Sequence, residues 1–258
     1  LGPWEEKEDQ AHMPADTAAT VVAQAALAAG HALLTLSAPA VARLATAGQF
    51  AMLRCSDGWD PYLRRPLPFL RLGGETVSFL FSPGDPGLAW LARRRLGDAV
   101  SLAGPFGRGF ALHPATRRLL LVAAGEPLAP LLAFAGQALD AHISVSLAAR
   151  ATQVAGLASI IPEAVEVASI PAEAEGEPWG TIAALLPWAD QVAAAGPADA
   201  LRHLAHLGRA PRPGLVQCYA DAPIACGLGW CGSCLTELRR GSRRACTSGP
   251  VFDLTELV

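Results

Sequence analysis

Four cysteines constrain this chain more than anything else in it. Cys226, Cys231, Cys234 and Cys246 stand as C-x4-C-x2-C-x11-C in the segment CGLGWCGSCLTELRRGSRRAC. Three short-spaced thiolates on one loop and a fourth on a returning segment is the plant-type pattern for a [2Fe–2S] cluster. Gly227, Gly229 and Gly232 fill the loop. There the backbone must come close to inorganic sulfide and donate hydrogen bonds that tune the potential. A structural zinc site or a disulfide pair is the competing reading. Zinc sites pair two Cys or Cys/His clusters of similar size, and only Cys231 and Cys234 have that form. The histidines at 113, 142, 203 and 206 make no metal-spaced set with carboxylates. The pattern therefore points to electron transfer without a general acid or base.

At 258 residues, the chain suits two modest domains and a small appendage. Hydrophobic content of 52% against 17% charged residues supports well-filled cores and excludes general disorder. A net charge of −3 gives no electrostatic case for nucleic acid or an anionic membrane. The apolar run from Leu119 to Gly125 is far shorter than the roughly 20 residues of a membrane span. The acidic start, with Glu5, Glu6, Glu8 and Asp9, is unlike a secretory signal. The pair His12-Met13 marks residues 1–12 as a vector-derived leader, with Met13 as the native start. Six cysteines with four at cluster spacing point to a reducing cytoplasm, and Cys55 and Cys218, in apolar surroundings, read as buried thiols.

Along the chain, residues 1–19 read as a tail, and the Ala-rich stretch 14–28 carries no clear strand or helix signal. HALLTLSA, QFAMLRC, FLRL and TVSFLFS read as short strands, the last two joined by a hairpin at Gly73-Gly74-Glu75. With the Gly- and Pro-dense SLAGPFGRGF they predict a small antiparallel barrel over residues 20–112. Over residues 113–212 strands alternate with helices. RLLLVAA, HISVSLAAR, AVEVASI and QVAAAG are the strands, and APLLAFAGQALDA, GTIAALLPWA and PADALRHLAHL the helices. That alternation predicts a parallel α/β domain. PRPG at 211–214 reads as a linker into a cluster domain over residues 213–258. The fold class is thus α+β multidomain: barrel, α/β domain and cluster lobe.

ACGLGWCGSC and the closing CTSGPVFDLTEL, with Ala47-Gly48-Gln49-Phe50, Arg65-Pro66 and Gly104-Pro105-Phe106-Gly107-Arg108-Gly109-Phe110, carry a family resemblance. The chain resembles, over about residues 30–258, the electron-transfer subunits of class 1B dihydroorotate dehydrogenases, a branch of the ferredoxin reductase superfamily. The resemblance implies an FAD-type barrel, an NAD-binding-type α/β domain and a cluster lobe. It also implies an FMN-containing catalytic partner, in an assembly of two catalytic and two electron-transfer subunits in pyrimidine synthesis. Flavin contacts would come from Arg65, Pro66, Leu67 and Pro68, from Leu80, Phe81 and Ser82, and from Gly87 and Leu88. Pro68 stands where relatives have a hydroxyl residue, and Asp85-Pro86-Gly87-Leu88 replaces Gly-Lys-Gly-Thr. The expected flavin is therefore more weakly held.

The nicotinamide elements depart further. Ala123-Ala124-Gly125-Glu126-Pro127-Leu128-Ala129-Pro130-Leu131 puts Glu126 into the glycine-rich run, where a pyrophosphate approaches in relatives. Ala195-Gly196-Pro197 lacks the cysteine of Cys-Gly-Pro, and Glu173–Glu177 replaces an acidic Asp-Asp-Gly-Ser turn. NAD is not expected as a ligand. Two other readings are a non-enzymatic iron–sulfur docking module and a reductase subunit of a hydrogenase or ferredoxin-dependent oxidoreductase.

Trp59, Trp90, Trp179 and Trp188 read as packing residues. Trp230, inside the cysteine loop, reads equally as a shield or partner contact and as loop packing. Arg93-Arg94-Arg95 reads as the solvated end of a helix.

Overall fold

The structure, a computed structural model, describes residues 16–171, 178–207 and 214–257. The expected leader at 1–12, the acidic stretch at 173–177 and linker residues 211–213 lie outside them.

The chain begins with β1 (Asp16–Ala26), β2 (Ala32–Ser37), α1 (Pro39–Ala42), β3 (Phe50–Leu53), β4 (Arg65–Gly73), β5 (Thr76–Phe81), α2 (Pro86–Ala92) and β6 (Ala99–Phe106). The strands close an antiparallel barrel in the order β1-β2-β5-β4-β3-β6. Alternation on β2 sends Leu34 and Leu36 inward with Phe69, Phe79, Leu53 and Leu102, all fully buried. Phe69 and Phe79 meet across β4 and β5 with ring centroids 5.5 Å apart.

Barrel closure gives β4 a partner on each side, so Arg65 lies on an internal strand and not on an edge. A proline supplies no ladder N–H, yet Pro66 and Pro68 stand opposite Met52 and Phe50. The stretch without assignment is β1, beginning at Asp16, before the sequence boundary at residue 20. Only Ala19 and Val21 of β1 are buried, so its alternation carried little hydrophobic contrast.

The second part comprises β7 (Arg118–Ala123), α3 (Ala129–Asp140), β8 (Ser144–Arg150), α4 (Ala151–Leu157), β9 (Val165–Ile170), α5 (Pro178–Leu185), β10 (Gln191–Gly196), α6 (Ala198–His203) and β11 (Val216–Ala220). These strands pair in parallel. The chain continues through β12 (Leu235–Leu238), β13 (Gly241–Arg244), α7 (Ala245–Ser248), β14 (Val251–Asp253) and α8 (Leu254–Leu257). β12 and β13 form a hairpin, whereas β14 runs antiparallel to β11 at the sheet edge, in the order β14-β11-β10-β7-β8-β9.

The residues from 213 onward are therefore shared. β11 and β14 belong to the sheet, and the cysteine loop with its hairpin emerges between them. The pairing Cys218↔Phe252 spans the whole lobe, so local sequence signals could not place it.

Two glutamines tie barrel to sheet. Gln191, fully buried, accepts from the His113 N–H at 3.0 Å and donates to the Ala111 carbonyl at 2.8 Å. Gln217 accepts from the Ala111 N–H at 2.9 Å and donates to the same carbonyl at 2.8 Å. The two buried amide side chains thereby find partners on the connecting backbone, so neither is left unsatisfied. Phe110 stacks on Phe134 of α3, with centroids 4.8 Å apart, and seals the same junction.

Candidate electron-transfer site

Gly227, Gly229 and Gly232 adopt φ of 72°, 78° and 74°, a left-handed conformation that side chains disfavour. They curl the loop so that its amides face sulfur. The Leu228 N–H donates to Cys226 Sγ at 3.4 Å. Desolvation raises the Cys226 thiol, but hydrogen bonds from the Cys231 and Leu228 amides, the Cys231 thiol and the Trp230 amide outweigh it and bring it to about 6. The same donors would stabilise a metal-bound thiolate. Cys234 and Cys246 are buried; desolvation first, then the Cys234 thiol, pushes Cys246 up.

The thiols thus lie within reach of one another, Cys231 acting on Cys226, and both Cys234 and Cys226 on Cys246. A two-iron cluster takes four cysteine thiolates, two on each iron. The donor set fits the cluster.

The loop packs on the barrel. A Cβ on Gly227 would stand 3.0 Å from Met52 Cγ and 3.8 Å from Phe106. Met52 pairs with Pro66 across β3 and β4, so one side chain separates the cysteine loop from the Arg-Pro segment. Toward solvent, Trp230 is 87% exposed beside exposed Cys231, with Leu228 and Leu235 exposed nearby. Packing within the loop does not account for Trp230. Trp59 also points outward, stacked on exposed Tyr62 with centroids 6.1 Å apart, and is not a core residue.

The flavin-side residues gather on adjoining elements. Arg65 to Pro68 start β4, Leu80 and Phe81 end β5 with Ser82 just beyond, and Gly87 and Leu88 open α2. Leu67, Leu80 and Phe81 are buried in the barrel and its junction with the sheet. Arg65 is the cation of the group, and its Nε donates to both Asp85 carboxylate oxygens, at 3.2 and 3.0 Å. The amides of Gly87 and Leu88 also donate to Asp85 Oδ1, at 2.7 and 3.1 Å. The donor set fits a flavin diphosphate at Arg65, with a carboxylate of the chain already engaging it. Nothing local announced Asp85, because its partner lies 20 residues away.

In the sheet the strand order reverses between β7 and β10, the topological switch point where open α/β sheets bind ligands. Here the two strand ends meet closely. A Cβ on Gly125 would stand 2.9 Å from Pro197 Cδ, and one on Gly196 would stand 2.9 Å from the Ala124 carbonyl carbon. Asp221, just after β11, is raised by desolvation and then by the Glu126 charge. Two carboxylates therefore lie within electrostatic reach of each other at this crevice, and the sequence identified only Glu126.

Closed barrel, parallel sheet and neighbouring thiols together define an iron–sulfur electron-transfer protein of the ferredoxin-reductase class. Among solved structures, NADH-dependent reduced ferredoxin–NADP oxidoreductase shares the fold at a TM-score of 0.77 and 19% identity, over 95% of this chain and 91% of that one. Phthalate dioxygenase reductase does so at 0.65 and 14%, over 88% and 87%. The iron–sulfur cluster binding domain of dihydroorotate dehydrogenase B matches residues 221–258. The dihydroorotate dehydrogenase B (NAD(+)) electron transfer subunit of Shouchella clausii is 30% identical over 259 residues, covering 93% of this chain and 96% of the relative. That of Geobacillus kaustophilus is 30% identical over 253 residues, covering 93% and 97%. The chain belongs to the family of dihydroorotate dehydrogenase B electron transfer subunits.

Proposed function

We propose that this chain is the electron-transfer subunit of a dihydroorotate dehydrogenase-like complex, passing electrons between a partner flavoprotein and an acceptor through a [2Fe–2S] cluster and FAD. The observation that carries this reading is the packing of the cysteine loop, at Gly227, against Met52, which also pairs with Pro66 of the Arg65-Pro66 segment. A cluster supplies one-electron transfer, and a flavin joins it to two-electron chemistry. The chain's own residues hold and insulate. Cys226, Cys231, Cys234 and Cys246 are the ligands, and the amides of Leu228, Trp230 and Cys231 favour the thiolate form. Met52 and Phe106 exclude water between the cysteine loop and the barrel.

The partner is a catalytic, FMN-containing dihydroorotate dehydrogenase-type subunit in a two-plus-two assembly. Exposed Leu228, Trp230 and Leu235 around the cysteine loop support a docking face there, because aromatic anchors dominate such interfaces. All six cysteines are free, in keeping with a reducing cytoplasm. No described helix is long and apolar enough to cross a membrane.

Anaerobic co-purification with the catalytic subunit, followed by iron, sulfide and flavin analysis, tests the reading. The expected outcome is a complex carrying cluster, FAD and FMN that reduces its cluster on addition of dihydroorotate. Trp230→Ala is expected to weaken assembly while leaving the cluster spectrum unchanged. A cluster-bearing chain that never joins the dehydrogenase would favour the free iron–sulfur module.

We further propose that NAD is not the acceptor of this chain. Glu126 and Asp221 at the switch point support that reading.

A further inference from the structure

An arginine fork matches a diphosphate because it presents several fixed N–H donors to neighbouring oxygens. In this barrel the fork is already engaged in part, through Nε and one N–H of Nη1. Arg65 Nε donates to Asp85 Oδ2 at 3.0 Å and to Oδ1 at 3.2 Å, and Arg65 Nη1 donates to the Leu63 carbonyl at 2.7 Å. Asp85 is itself anchored by the Gly87 and Leu88 amides. Both side chains stay accessible, Arg65 at 23% and Asp85 at 36%, so the pair sits at the surface where an incoming anion meets it.

Resting on the reading that FAD occupies the barrel, we propose that Asp85 is a resident anion competing with the flavin diphosphate for Arg65. Loading then brings the diphosphate to the guanidinium N–H groups that Asp85 and the Leu63 carbonyl leave over, beside a carboxylate that stays in place. Asp85 cannot withdraw easily, because α2 starts on its side chain and Pro86 fixes the first helical residue. The like charge that remains opposes the diphosphate. Asp85 is therefore a specificity-determining residue. It discriminates against flavins carrying phosphate and leaves the phosphate-free ring and ribityl chain unaffected. The loss of the hydroxyl at Pro68 lowers affinity for any flavin and that at Leu88 for phosphorylated flavin, but only Asp85 adds an opposing charge.

Titration of the cluster-loaded, flavin-stripped protein with FAD and, in parallel, with riboflavin separates these effects. Flavin fluorescence quenching is the readout. Asp85→Asn keeps a helix cap while removing the charge. It is expected to tighten FAD binding about tenfold or more, equivalent to about 1.4 kcal/mol, with riboflavin affinity unchanged. Asp85→Ser, a shorter cap that does not span to Arg65, should act in the same direction and guards against an effect peculiar to asparagine. Equal FAD affinity in wild type and both variants overturns the proposal while the flavin reading stands. An equal gain for riboflavin also overturns it, because the charge would not be acting on phosphate. Absence of FAD binding in wild type and variants alike overturns both the proposal and the flavin reading.

Discussion

Desolvation lifts the Cys55 thiol to about 11 and puts that of Cys218 higher still, whereas amide donors bring Cys226 to about 6. Cys226 thus stands apart from the two thiols outside the spacing, whereas Cys246, a buried member of the spaced set, is raised as they are; spacing, not thiol acidity, marks the ligands. Replacing any one of Cys226, Cys231, Cys234 or Cys246 by serine is expected to remove or destabilise the [2Fe–2S] centre. Cys55→Ser and Cys218→Ser should keep it, at a cost in stability of about 1–3 kcal/mol for a buried hydroxyl. Visible absorption with iron and acid-labile sulfide analysis checks this. Zinc without sulfide in anaerobic wild-type protein would sink the assignment. The ligands were legible because cluster dimensions impose spacing on adjacent residues. Asp85 was not, since its effect depends on a contact with Arg65 formed only when β4 and α2 are brought together.

At the scale of elements, the joint between barrel and lobe is a backbone contact. Gly107, just beyond β6, has φ of 75°, and a Cβ there would stand 2.7 Å from Pro250 Cδ. The adjacent Arg108 N–H donates to the Gly249 carbonyl. Gly107→Ala would combine left-handed strain with a clash, a cost of about 1–3 kcal/mol. Its expected signature is a lower Tm and a slower electron step between cluster and flavin, with both cofactors still bound. Unchanged Tm and transfer rate would show that the joint is slack.

A second element-scale expectation concerns α2. Desolvation raises Asp85, but the Arg65 hydrogen bond and the Leu88 and Gly87 amides outweigh it and hold the carboxyl below its usual range. A depressed carboxylate stabilises the fold above its unfolded pKa, near about 4, and loses that contribution as pH falls through the lower folded value. The wild-type advantage in Tm over Asp85→Asn should therefore shrink below about pH 4. An advantage constant with pH would mean that the charge contributes nothing. Most strands were readable from alternation, as in β2 and β5. β1 was not, because alanines and threonines give little contrast, and β14 joined the sheet only through long-range pairing with β11.

Taken as a whole, the molecule has a cluster lobe set between β11 and β14, directly beside the switch-point crevice, and that geometry decides where electrons can leave. A dinucleotide brings a pyrophosphate to the crevice, where a glycine turn and a helix N-terminus ordinarily receive it. In this chain Pro197 packs against Gly125, and the Glu126 charge reaches Asp221, both carboxylates standing exposed at the mouth of the crevice. Each negative phosphate would meet two carboxylates of like charge there. We therefore expect NADH to bind more weakly than about 1 mM, the upper end of ordinary substrate affinities, and not to bleach flavin or cluster rapidly. Calorimetric titration and stopped-flow absorbance of cofactor-loaded protein measure the two. Glu126→Gly combined with Asp221→Asn removes both charges and restores one glycine. If charge is the barrier, the double variant should bind NADH at least about tenfold more tightly, a gain of about 1.4 kcal/mol. Micromolar NADH binding by the wild type, or fast reduction, would overturn the expectation and make the crevice a working nicotinamide site. Weak binding in both proteins would instead assign the barrier to the Gly125–Pro197 packing. A protein or quinone-like acceptor, approaching the barrel and not the docking face of the cysteine loop, would then take the electrons.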